Sequence, residues 1–451
     1  MNKQKENIVN QIAFVLFCMY AVECAIGCSG HWLEFGGVSI RMILFTLCFV
    51  FSLPAAFNLT DCYLKKTPVI LAGCFLLCLF FSAYIGFQNN NHVGFIVSDV
   101  TSFLAFLLLP GAYAVINTRE KLDSLLSAIL FSSFLLAQVT VFFHIAMPFL
   151  SGQIIQRIND WINWHSLGGF TLLSSGVRRI YFRSQIFLQF SAMICLWRMW
   201  RSTGWKRIFY CICEGTIVFA IILSYTRGFW LGFAVSLLLL LIMFIKDFRR
   251  LLIAAGACLA VIAVLSGISC IVYEGPHVYT EVISRIVSAR ESDDVSGYYL
   301  QEEQDDPNLN AIILRANSKK ALKEKIRTYP IKGSGLGANL DGIRTDGKAE
   351  YMYLDTLMKL GLFGFAAYLA VFFFWPIRYL TYKWLPPEKK RSEVILGSEE
   401  NECDMIVAGY IGVAVTSFVN PYLNNPMGIM MLTITCLAIE LFGLMNQREK
   451  I

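Results

Sequence analysis

Twelve stretches of mostly apolar residues recur along this chain, and they constrain its fold more than any other feature. A helix that crosses the hydrocarbon core of a bilayer needs about 20 such residues. The stretches lie near 8–28, 39–57, 68–87, 96–116, 122–149, 185–200, 208–224, 228–245, 251–272, 352–377, 404–420 and 427–446. The fifth is long, with Pro148 as a place to bend, and the sixth is short. The first is too long for a signal-peptide core and has no small-residue cleavage site, so an uncleaved span is expected. Only 16% of residues are charged and the mean hydropathy is +0.58, against about 25% charged in a soluble domain. One soluble core cannot hide that much apolar surface, whereas a bilayer can. The expectation is an all-α polytopic membrane protein, one transmembrane unit over 1–451 with about twelve spans.

Lys and Arg in the short loops set the orientation, because cytoplasmic loops carry the excess. One side holds Lys3, Lys5, Lys65, Lys66, Arg119, Lys121, Arg198, Arg201, Lys206, Arg207, Lys246, Arg249, Arg250, Arg378, Lys383, Lys389, Lys390, Arg391, Arg448 and Lys450. The alternate short loops hold only Arg41 and Arg227. Both termini are therefore expected in the cytoplasm, with 378–403 a cytoplasmic loop. The formal net charge of +6 then reports topology, and no nucleic-acid partner is expected. Most of the 14 cysteines lie in or beside apolar stretches, where they act as small apolar residues. The Cys211/Cys213 pair has no histidine cluster nearby, so no metal site is expected.

Two longer outer loops break the pattern. The first, 150–184, carries Arg157, Trp161, Trp164, His165, Arg178, Arg179 and Arg183. Its tryptophans suit a membrane interface, and Arg178, Arg179 and Arg183 stand at the outer mouth of the sixth span. The second, 273–350, is the only sizeable extramembrane segment. Its residues 291–306 are acidic and poor in apolar groups, as in a solvated excursion. Asn308 or Asn310 is then placed to cap a helix running to about Thr328, before Pro330. Arg315, Lys319, Lys323 and Arg327 share one face of it, with Ile312, Ala316, Leu322 and Ile326 on the other. That stripe fits a helix lying on an anionic membrane, a solvated face, or a wall for an anionic substrate. Gly333-Ser334-Gly335-Leu336-Gly337 reads as a tight turn whose amides suit an anion nest. No βαβ unit surrounds it, so it is not a dinucleotide fingerprint.

Charges inside spans are costly. Glu23, Asp99, Glu214 and Glu440 lie in or near them, as relay groups or as paired carboxylates. No run of ionisable groups through several spans marks an ion path. Arg227 stands out, because Ser224-Tyr225-Thr226-Arg227-Gly228 is the whole connection between the seventh and eighth spans. An arginine held at the outer surface by so tight a turn is placed to grip a phosphate with its bidentate fork. The alternative is a side chain that simply snorkels to the interface.

Ser224-Tyr225-Thr226-Arg227-Gly228 resembles the short S-x-(S/T)-R-G turn of the O-antigen polymerase and O-antigen ligase superfamily. Tyr329 to Gly337 resembles that superfamily's P-x-x-G-x-G-x-G segment. Glu350-Tyr351-Met352-Tyr353-Leu354, with Gly361 and Gly364 after it, is similar to the lead-in to its next span. The resemblance covers roughly 220–378, and Val419-Asn420-Pro421-Tyr422 in the last outer turn looks like the polymerase branch. In the ligase branch a His-Asn pair usually stands where this chain has Glu350 and Tyr351, which favours a polymerase.

The resemblance implies a GT-C-like membrane glycosyltransferase with no cofactor and no metal. Its expected partners are undecaprenyl-diphosphate-linked oligosaccharide, membrane lipids, a chain-length regulator and a flippase, at the outer face of the bacterial inner membrane. It implies transfer of a growing glycan from its lipid diphosphate to a hydroxyl of the next repeat unit. Arg227 and Arg315 would hold the diphosphate with help from Arg178, Arg179 and Arg183. Glu350 would be the base or would position the acceptor. Arg344, Lys348 and Gly335 are further candidate contacts to glycan or phosphate. The rival readings are a ligase delivering polymer to lipid A-core and a lipid-linked oligosaccharide flippase. The flippase fits less well, since such transporters usually show two similar halves and short loops.

Overall fold

Inside hydrocarbon every backbone N–H and C=O must bond within its own segment, so apolar stretches fold as helices. The computed structural model describes residues 8–58, 66–173, 175–291, 307–340, 349–384 and 398–442. Each expected span is helical there. They are α1 (Ile8–Ile26), α2 (Ile40–Asn58), α3 (Thr67–Gln88), the broken pair α4 (Val93–Phe103) and α5 (Leu109–Val115), and α6 (Arg119–Ala146). After α7 (Gly152–Trp164), which no span foresaw, come α8 (Ile186–Arg201), α9 (Gly204–Leu223), α10 (Arg227–Met243) and α11 (Phe248–Val272). Beyond α12 (His277–Glu291) and α13 (Pro307–Thr328) lie α14 (Met352–Trp384), α15 (Ser398–Thr416) and α16 (Pro426–Leu441). Among the described residues, seven helical segments are long and apolar enough to cross a membrane alone, and α10 and α16 are apolar but shorter. The chain is an all-α polytopic membrane protein.

The centre of the bundle is α8, where every residue from Ile186 to Trp197 is buried. It packs against α6, α9, α10 and α15. A helix buried all round belongs in an interior, so the shortest apolar stretch proves to be a fully enclosed helix, as α16 is from Met427 to Ile439. By contrast α11 turns most of its apolar surface outward. Among the described basic residues assigned to one side, Lys66 pairs with Glu440, Arg198 with Asp123 at 2.5 Å, and Lys383 with Asp404. Three of the four carboxylates singled out in spans have cationic partners: Glu23 with Arg41 at 2.5 Å, Asp99 with Lys359 at 3.1 Å, and Glu440 with Lys66. The Oε2 of Glu214 is buried without a hydrogen bond.

The segments expected as outer loops carry regular structure. Residues 150–184 are not an irregular loop but α7 followed by a hairpin, β3 (Gly168–Leu172) paired antiparallel with β4 (Arg178–Phe182). Ser151 caps α7 by accepting from the Ile154 amide, and Asn159 Oδ1 accepts from the Phe170 amide at 2.7 Å, tying helix to hairpin. A second, two-residue hairpin, Glu34–Phe35 with Val38–Ser39, joins α1 to α2. The helix expected after Asn308 or Asn310 starts earlier, at Pro307, so those asparagines lie inside it. A proline is tolerated in a first helical turn because its missing N–H would have no partner there. The buried line of α13 runs through Ile313, Ser318 and Leu322, and Ala316 is exposed rather than inward. Residues 292–306, Arg344 and Lys348 lie outside the described residues. The segment 378–403, expected to be cytoplasmic, is helical as far as Trp384 and again from Ser398.

Candidate functional site

The turn from α9 to α10 is built by burial of one side chain. Tyr225 takes a left-handed backbone, φ 46°, which a bulky residue adopts only when its surroundings impose it. Its ring is fully buried in a small cluster with Val141, Leu173, Val177, Phe219, Leu223 and Val278. Reversal at Tyr225 places Arg227 as the first residue of α10, half-buried, at a helix N-terminus. Thr226, the residue before it, does not cap that end. Its hydroxyl donates to Ser224 O and accepts from Arg179 Nη2 at 2.9 Å. Positive dipole, amides and guanidinium together suit an anion.

The arginines divide by role. Arg179 donates Nε to Ser224 O at 2.9 Å as well as Nη2 to Thr226, so it splints the turn. Burial lowers its guanidinium from the usual value, and the like charges of Arg285 and Arg315 add to the effect. Arginine stays protonated through such shifts, so the charge remains and attracts an anion. Arg285 and Arg315 also act on Arg227. Arg315 on α13 donates Nε to Glu350 Oε2 at 2.5 Å. Glu350 stands two residues before α14 rather than in its first turn. Arg183 is exposed on a wall of the cavity described below. Arg178 is half-buried, with its charge acting on Tyr273.

Arg285 was not anticipated. It lies on α12 and bonds Glu281 Oε1 at 2.8 Å. The signal that marks it in sequence is the i, i+4 spacing of Glu281 and Arg285 after Pro276.

The glycine turn is not an open nest. Gly333, Gly335 and Gly337 all have positive φ, 74°, 81° and 74°, and the turn is wedged between α3 and α14. Ser334 N donates to Met358 O, Gly335 N to Lys359 O and Leu336 N to Ser82 O. Gly337 N donates to Asp99 Oδ2 at 2.9 Å, so the anion it holds is a side chain of the protein. Gly335 is buried with its amide bonded, which removes it as an amide donor to glycan or phosphate. Irregular backbone at this depth is tolerated because it is enclosed by protein. Alanine at Gly335 would put Cβ 2.3 Å from Gly86 N and 2.5 Å from Gly86 Cα. Gly335→Ala is therefore expected to abolish the monodisperse peak in size-exclusion chromatography. Gly73→Ala, with nothing within 4 Å, should leave it intact.

A cavity of about 960 Å³ opens beside this turn. Its walls come from α1, α2, the broken stretch α4–α5, the start of α14 and the turn between α15 and α16. The break that shapes α4–α5 is a short 3-10 segment, Leu104–Leu108, just before Pro110, where proline removes a helix hydrogen bond. Within the wall, Lys359 bridges Asp99 and Asp355, 3.1 Å from each. Glu350 and Arg183 line the cavity, whereas Arg179, Arg227, Arg285 and Arg315 are not among its lining residues.

Residues 215–369, about a third of the chain, match the family model described as O-Antigen ligase. No curated protein matches the chain. The matched stretch holds Arg227, Arg285, Arg315, the glycine turn, Glu350 and Lys359, and leaves out Arg178, Arg179, Arg183 and Asp99. Over that stretch, which carries the turn at Arg227, the glycine turn and part of the cavity wall, the chain is similar to the O-antigen ligase family.

Proposed function

We propose that this protein is a polysaccharide polymerase of the O-antigen type, acting on undecaprenyl-diphosphate-linked repeat units at the outer face of the inner membrane. The observation that carries the reading is Glu350, where a ligase usually has histidine. It is bonded to Arg315 and lines the cavity beside the arginine cluster. In the proposed step the bond from the donor's anomeric carbon to the diphosphate oxygen breaks. Its electron pair leaves with the diphosphate. A new bond forms from that carbon to a hydroxyl oxygen of the acceptor, and the hydroxyl proton passes to Glu350.

Arg227 and the Nη groups of Arg315 take the developing charge, with Arg285, Arg178 and Arg183 nearby. Fixed guanidinium groups supply this stabilisation without a metal or cofactor. Arg315 then links leaving group and base, because its Nε is the donor to Glu350 and its fork has further donors. The excess of Lys and Arg in alternate short loops supports cytoplasmic termini. A flippase and a chain-length regulator are the working partners this reading calls for.

The test is purified protein with defined lipid-linked repeats, with and without EDTA, read as polymer length. Ladder formation in both conditions is expected, and its absence in EDTA would overturn metal independence. In cells, deletion should leave single repeats capped on lipid. Polymer that accumulates but never reaches lipid A would mean a ligase, and repeats trapped inside a flippase. Glu350→Gln is expected to slow polymerisation by about 10²–10⁴-fold, the usual contribution of a general base. Full-length polymer from that variant would exclude Glu350 as the base.

A further inference from the structure

The cavity and the arginine cluster differ in chemistry. At the cluster the charges of Arg285 and Arg315 act on both Arg179 and Arg227. In the cavity, one cation, Lys359, stands between two carboxylates, Asp99 and Asp355. Asp99 is also tied to the Gly337 amide. Arg41, Arg183 and Glu350 also line the cavity, so its charges are balanced, and what its carboxylates offer a ligand is acceptors for hydroxyl donors.

The nearby polar groups fit the same class of ligand. Asn424 donates Nδ2 to Thr356 Oγ1 at 2.7 Å, while its Oδ1 is buried with no hydrogen-bond partner. A buried acceptor left unpaired in a cavity wall is costly unless a ligand supplies a donor. A volume of about 960 Å³ lies at the upper end of the range for small-molecule sites, about 300–1,000 Å³.

Position agrees with chemistry. Glu350 lies between the two regions, bonded to Arg315 on one side and lining the cavity on the other. A hydroxyl that gives its proton to Glu350 belongs to a molecule on the cavity side, away from the leaving diphosphate. We propose that the cavity holds the terminal sugars of the acceptor glycan, with Asp355 and the Asn424 amide oxygen accepting hydrogen bonds from their hydroxyls. This rests on the polymerase reading for the word acceptor, but not for the presence of a glycan site. Asp99 and Asn424 lie outside the matched stretch 215–369, so choice of acceptor is written partly outside the family domain.

The test uses the full protein in lipid nanodiscs. The glycan probe is the oligosaccharide released by mild acid from lipid-linked repeats that accumulate in the deletion strain. The second probe is undecaprenyl diphosphate. Asn424→Ala and Asp355→Asn are each expected to weaken oligosaccharide binding about tenfold, the loss of one good hydrogen bond. Both should raise the KM for acceptor more than they lower kcat, and leave undecaprenyl diphosphate binding unchanged. Arg227→Lys should do the reverse, weakening the diphosphate probe alone. Asn424→Ala removes no ion pair and serves as the arm least exposed to misfolding. Unchanged oligosaccharide binding in Asn424→Ala would overturn the proposal, as would equal weakening of both probes. Oligosaccharide binding that depends on Asn424, in a wild-type protein that forms no polymer, would instead remove the polymerase reading and leave the glycan site standing.

Discussion

Arg227→Lys is expected to reduce polymer formation by on the order of 10²-fold or more, with the protein still folded. The charge survives the change but the fork does not. A guanidinium offers paired N–H donors in one plane, matched to two phosphate oxygens, whereas an ammonium is a single point. The surroundings make the difference large. Arg227 begins α10 where Thr226 leaves the helix end uncapped, and Arg285 and Arg315 act on it, so the amide dipoles and several cations aim at one place. Losing a preorganised donor from such a site removes stabilisation at the moment charge develops, and that appears in kcat. The measurement is the initial rate with defined lipid-linked repeats, next to thermal stability in detergent. Wild-type polymer from Arg227→Lys would sink the clamp. A lowered melting point with unchanged rate per folded molecule would reassign Arg227 to the turn, beside Arg179.

Lys359→Met is expected to cost several kcal/mol of stability, about 3–5. Lys359, Asp99 and Asp355 are all buried, and the lysine stands 3.1 Å from each carboxylate. Removing one partner of a buried ion pair costs about 3–5 kcal/mol, because the charge left behind has lost its compensation. Here two carboxylates are left facing each other, and Asp99 also anchors Gly337 of the wedged turn. The expected result is a melting transition several degrees lower and a faster loss of monodisperse protein. Asp99→Asn with Asp355→Asn in the Lys359→Met background should recover most of the loss, since the net burial of charge is then removed. Failure of that rescue would show that Lys359 acts through its packing and not through its charge.

Gly333 to Gly337 shows how far local reasoning reaches. Alternating glycines announce positive φ, and all three glycines have it. Whether their amides point at a ligand depends on what lies opposite, and that is Ser82, Asp99 and the residues around Lys359. Asp99 lies 238 residues before Gly337. The same limit applies to Arg179. Its place before the sixth span is visible in sequence, but the carbonyl of Ser224 that holds it is not.

Glu350 and Arg315 were both legible as candidates, because each belongs to a recognisable local segment. Their pairing depends on α13 folding back onto the start of α14, which no short-range pattern specifies. Asp355 and Asn424 carried no signal at all. An aspartate in the first turn of a helix and an asparagine in a turn are ordinary choices by propensity alone.

The sequence by itself determined the class of protein, the places of its apolar helices, the tight turn at Arg227 and the need for glycine after Pro330. These follow from hydrophobic length, loop charge and backbone sterics, which act over a few residues to one span. Only the tertiary structure decided that α8 is buried all round, that Arg179 holds a turn, that the glycine amides are already bonded, and that a cavity walled by Asp99, Asp355 and Lys359 lies beside the arginines. Those facts depend on which helices become neighbours. Neighbours are chosen by the packing of side chains far apart in sequence, such as Asp99 with Lys359 and Thr356 with Asn424.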